Sequence, residues 1–173
     1  MAFLFNTTRN FSLYTIPAAW AIAFAPHAYA ETQSKVFDNR SPRTYAQTLE
    51  KDQNHRQRGG TPFPNALFIS NTLQTKARIL RAEAAQTNCF ENLALLATTV
   101  LAGNLAGLPA ATLNTLSGGY LLSRVLYNFV YINNTSKGLA SLRSVGFLAG
   151  IGQIFALFIK SANVLREKAA NLL

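Results

Sequence analysis

The chain has 173 residues, room for one domain, with 49% apolar and only 13% charged residues, about half the charged share usual in soluble domains. The net charge of +9 does not read as nucleic-acid binding, because nine of the sixteen Lys and Arg crowd into residues 31–81 with no nucleic-acid motif beside them. A single cysteine, Cys89, excludes an intrachain disulfide and a cysteine metal cluster, and His27 and His55 stand far apart, so no metal site is expected.

The first apolar stretch, residues 11–30, has two readings. Arg9, an apolar centre and Ala28-Tyr29-Ala30 suit a secretory signal. Equally, about 20 residues at 1.5 Å each cross a hydrocarbon core of about 30 Å. The later spans favour the second reading. Residues 31–70 are polar and basic, broken by Pro42, Gly59, Gly60, Pro62 and Pro64, and form a long loop. A second helix follows, 75–106, polar in its first half and apolar in its second, and Gly107-Leu108-Pro109 ends it. The third, 111–132, is apolar except for hydroxyls, Asn114, Asn128, tyrosines and Arg124. The stretch NNTSKGLASLR leads into a fourth, 145–165, which contains a Gly146-x-x-x-Gly150 pair suited to close helix approach. The expectation is an all-α membrane protein, a single domain over 1–173 built as a four-transmembrane-helix bundle.

Charge sets the topology. Eleven Lys and Arg fall on the side of the first and third loops and four on the other, so both termini are expected to be lumenal. Asn6 and Asn10 stand in N-x-[ST] sequons open to glycosylation on that side. At 100° per residue, Arg81, Asn88, Glu91 and Asn92 share an arc of about 100° on the second helix, and Arg78 extends it. Glu83 points the other way and Gln86 to the flank. Tyr120, Arg124, Tyr127 and Tyr131 share an arc of about 60° on the third. Such polar side chains at one membrane depth must pair internally or line a cavity. A structural Glu91–Arg124 ion pair, interfacial tyrosines and anchoring arginines are the plainer alternatives.

The segments RAEAAQTNCFENLALLATTVLAG, LLSRVLYNFVYI and LRSVGFLAG resemble the MAPEG family, the membrane-associated proteins in eicosanoid and glutathione metabolism. The pattern is N-x-x-E, then R-x-x-Y-x-x-x-Y, then an arginine at the fourth helix. The resemblance implies a homotrimer with glutathione held as co-substrate between neighbouring subunits near the cytosolic face. It implies Arg143 and Arg124 as the catalytic arginines, with Arg143 holding the thiolate, and Asn88, Glu91, Tyr127, Tyr131, Gln86 and Arg81 as glutathione contacts. Ala84 stands where many members carry an arginine, with Arg81 one turn earlier as its substitute, and the approach to Arg143 looks longer than usual. The activity implied is glutathione transfer to lipophilic electrophiles, or reduction of lipid hydroperoxides, in the endoplasmic reticulum bilayer. The rival from another class is a non-catalytic lipid-binding or scaffold protein of the same fold.

Overall fold

The computed structural model describes residues 9–33, 47 and 73–171, and the expected basic loop falls outside them apart from residues 31–33 and 47. A 3-10 turn at Ser12–Tyr14 leads into α1 (Thr15–Gln33). Next come α2 (Leu73–Glu91), α3 (Leu93–Ala106), α4 (Ala110–Ile132) and α5 (Lys137–Ala170). The described residues contain no strand.

Two boundaries differ from the sequence reading. The expected 75–106 helix is interrupted at Asn92, whose side-chain amide donates to the Asn88 carbonyl at 2.7 Å. Such back-bonding competes with the main chain for its acceptor. The fourth helix begins at Lys137, not 145, because Ser136 caps it by accepting from the Leu139 amide. Arg143 therefore lies inside α5, and the preceding loop shrinks to a few residues. At the other turn Gly107 takes φ +74°, the left-handed conformation that ends α3 where glycine meets no Cβ penalty.

α4 is the spine, packed on every other helix. α1 lies against α2 and α4, while α3 leans on α5. Neither α1 nor α2 packs on α5, so α5 stands away from α2 where α2 begins and meets α3 at the far end. Along α5, Arg143, Phe147, Gly150, Ile154, Leu157, Ser161, Val164 and Lys168 repeat at alternating spacings of four and three, the seam of knobs-into-holes packing. Gly150, Ile154, Leu157 and Ser161 are buried in it. A Cβ on Gly150 would lie 2.5 Å from the Arg124 Nη2 and 2.6 Å from the Ser123 Oγ, so a larger residue there would displace both side chains from the α4–α5 contact.

At the closed end a polar cluster ties down the N-terminal segment. Asn114 accepts from the Phe11 amide at 2.8 Å and donates to the Arg9 carbonyl at 2.7 Å. The Asn10 side chain donates to Asn104 at 2.6 Å, so the nitrogen that glycosylation would use is already engaged, and Asn6 lies outside the described residues. Lys168 donates to the Ala106 carbonyl at 3.0 Å. The segment entering α1 and the last turn of α5 thus sit at the same end of the bundle, beside the α3–α4 turn.

One bridge fixes three helices together. Pro26, buried inside α1, has no N–H and frees the Ile22 carbonyl four residues earlier. Asn128 on α4 donates its amide to that carbonyl at 2.9 Å, while its Oδ1 accepts from the Cys89 thiol of α2 at 3.1 Å. Asn128→Leu strands a buried carbonyl and should cost about 1–3 kcal/mol of stability. Pro26→Ala, which restores the main-chain donor to Ile22, should recover part of that loss in the double variant. A thermal-unfolding cycle in detergent checks both, and strict additivity would contradict the bridge.

Candidate functional site

Where α5 stands away from α2, a cavity of about 340 Å³ opens with α4 as its floor, within the 300–1,000 Å³ typical of small-molecule sites. Asn88 of α2 forms one wall, Tyr127 and Tyr131 the floor, and Arg143, Ser144, Phe147 and Leu148 of α5 the other wall. The Arg143 guanidinium lies 4.6 Å from the centre of the Tyr131 ring, a cation–π contact that orients it. Tyr127 and Tyr131 meet edge to face at 5.4 Å. The cavity thus offers an amide, two phenols, a serine hydroxyl and a cation against an apolar lip. That set suits a small anionic ligand carrying amide groups.

Of the residues singled out in the sequence, Asn88, Tyr127, Tyr131 and Arg143 gather around this cavity, and Arg124, Glu91, Arg81 and Gln86 do not line it. Arg124 is 1% exposed and lies beneath the floor. Its guanidinium sits 5.0–5.1 Å from the rings of Tyr120, Tyr127 and Phe147 and donates to the Phe147 carbonyl at 3.1 Å. Its Nε and Nη1 have no hydrogen-bond partner. Tyr127 and Phe147 belong to both the cage and the cavity wall, so these two rings separate Arg124 from the space above.

Glu91 is exposed on the outer surface of the bundle and makes no ion pair with Arg124. His27 meets two carboxylates, Glu83 of α2 at 2.7 Å and Glu31 at 3.2 Å. The buried face of α2 is set by Ala82, Ala85 and Cys89, and Glu91 falls about 160° from Cys89 on the helix wheel. Arg81 turns to the end of α4, where its Nε donates to the Ile132 carbonyl at 3.0 Å. Gln86 is half-buried on the flank of α2. Sequence reasoning passed over Ser144, which precedes the helix expected from 145, and over Phe147 and Leu148, which read as ordinary apolar residues of a spanning helix; with α5 starting at Lys137, Phe147 follows Arg143 on the same face.

These placements give a direct expectation. Removing one partner of a buried ion pair costs about 3–5 kcal/mol, whereas an exposed substitution away from packing stays within about 0.5 kcal/mol. Glu91→Gln should leave the stability of the single chain unchanged within that smaller range, measured by denaturation in a detergent that keeps it monomeric. A loss of 3 kcal/mol or more would show that Glu91 pairs within the chain.

Two helical stretches, Gln74–Ala106 and Gly138–Ala170, are long and apolar enough to cross a bilayer. Searches among curated proteins and among solved structures return no match. The family model for MAPEG matches residues 19–163, from the first turns of α1 to the last turns of α5. The chain belongs to the MAPEG family, and so to the membrane proteins of glutathione and eicosanoid metabolism.

Proposed function

We propose that the protein is a glutathione transferase or peroxidase of the membrane, with glutathione bound as co-substrate in the cavity between α2 and α5. The observation that carries this reading is the convergence of Asn88, Tyr127, Tyr131 and Arg143, from three helices, on one cavity. Glutathione is a tripeptide with two carboxylates, two amides and a thiol. Arg143 supplies a cation for an anionic group, Asn88 an amide for the peptide backbone, and the two phenols donate to oxygen.

With Arg143 beside the sulfur, the thiolate is favoured over the thiol. In transfer, the thiolate forms a C–S bond with an electrophilic carbon, and the leaving group departs with its electron pair. In peroxide reduction, sulfur attacks the hydroperoxide's terminal oxygen, the O–O bond breaks to leave a sulfenic acid and an alkoxide that is protonated to the alcohol, and a second glutathione converts the sulfenic acid to the disulfide with release of water. Phe147 and Leu148 give the cavity its apolar lip, on the side from which a lipophilic substrate arrives.

Assembly follows from Glu91. An exposed carboxylate near the apolar half of a spanning helix is tolerated only beside a cation. A neighbouring subunit covering that face brings Glu91 to the open side of the cavity, where the ligand's ammonium neutralises it. A homotrimer of four-span subunits, with lumenal termini and the cavity near the cytosolic face of the endoplasmic reticulum, is the arrangement this reading adopts. It agrees with the charge asymmetry and with both described ends lying at one end of the bundle.

Stopped-flow absorbance of the purified protein mixed with glutathione should show a thiolate band. Arg143→Ala should abolish that band and lower kcat more than it weakens binding. A full band and unchanged turnover in the variant would remove Arg143 from this role. Glutathione binding with neither thiolate nor turnover in the wild type would instead mark a non-catalytic scaffold.

A further inference from the structure

We propose that Arg78 and Arg81 form a receptor for the phosphate of an anionic membrane lipid, at the end of the bundle where α2 begins. Arg81 is absent from the cavity lining. Its Nε is engaged by the Ile132 carbonyl, where the carbonyl end of α4 favours a cation. That single bond leaves its Nη2 buried without a partner, and the Nε of Arg78 is in the same condition. One helical turn apart, the two guanidiniums lie close enough to repel each other. No acid among the described residues lies within ion-pair distance of either guanidinium. Two adjacent half-buried guanidiniums with unused donors call for an anion that accepts several hydrogen bonds, which is the chemistry of a phosphate.

Depth selects the lipid phosphate over a soluble one. Twenty residues counted back from Ala106 reach Thr87 and span about 30 Å, the thickness of the hydrocarbon core. Arg81 then lies about 9 Å beyond the core edge along the helix and Arg78 about 13 Å. The headgroup zone is roughly 5–8 Å thick on each side, and long arginine side chains reach back into it. Basic pockets between spanning helices at this level take anionic headgroups. The inference does not rest on the glutathione reading.

The test is native mass spectrometry of the detergent-purified full chain with phosphatidylglycerol, with phosphatidylcholine, or with inorganic phosphate. Arg78→Gln carries it, because that change breaks no described hydrogen bond, whereas Arg81 also caps α4. The wild type should retain phosphatidylglycerol in preference to phosphatidylcholine, and Arg78→Gln should weaken that retention about fivefold, the share of one arginine at a charged surface. Glutathione-induced thermal stabilisation, followed in parallel, should be unchanged in the variant. Equal retention of the two lipids, or unaltered retention in Arg78→Gln, would overturn the proposal. Displacement of the lipid by millimolar inorganic phosphate would overturn it too, by placing a soluble anion there.

Discussion

In apolar surroundings a buried carbonyl without a donor costs several kcal/mol, and the Ile22 carbonyl, left open by Pro26, is such a group. The Asn128 amide fills that vacancy from α4 and holds the Cys89 thiol with its oxygen. Together with the His27–Glu83 contact and the Arg81–Ile132 hydrogen bond, the bridge sets three helices at one depth and one rotation. α4 cannot turn or slide without opening this bridge, and every residue it contributes to the cavity inherits its position from it.

That rotation divides α4 cleanly. Leu122, Val125, Leu126 and Phe129 are exposed, while Tyr120, Arg124 and Tyr127 are buried on the opposite face. Below the cavity, Gly150 lets α5 close on Arg124 and Ser123, and Leu113, Ile154 and Leu157 seal the core. Above it nothing draws α5 toward α2, and the space stays open. Arg124 marks the border between the two regimes. A cation there with two unused donors is tolerated through three aromatic faces and one carbonyl, each cation–π contact contributing up to about 2 kcal/mol when desolvated.

Much of this was legible in the residues. Tyr120, Arg124, Tyr127 and Tyr131 share a face at helical spacing, and that stripe is where the sequence pattern placed it. Gly107-Leu108-Pro109 marked the end of α3 through a conformation that glycine accepts readily. Asn88 and Arg143 came from the resemblance, with their joint cavity hidden, because a helix wheel gives relative angles and not which arc faces inward. Glu91 shows the cost of that. The helix wheel groups it with Asn88, but Ala82, Ala85 and Cys89 pack inward and leave Glu91 on the outer surface, away from the cavity that Asn88 lines. The start of α5 was missed because Gly138 and the five polar residues before it suggest a loop, although the Ser136 cap that overrides them is a readable signal. The Pro26–Asn128 partnership joins residues 102 positions apart in the chain, and no local pattern encodes it.

The proposed function rests on the space between α2 and α5 being an open, ligand-accessible cleft floored by α4. With Cys89→Ser removing the native thiol, Ser144→Cys places a single reporter in the cavity wall and Ser141→Cys a control on the exposed face of α5. Labelling rates with a water-soluble maleimide, measured with and without S-hexylglutathione, give the most direct test. The account predicts that both reporters label, and that the glutathione analogue slows Ser144→Cys at least tenfold while sparing Ser141→Cys. A Ser144→Cys reporter that stays unlabelled, or that labels at the same rate with the analogue present, would contradict it.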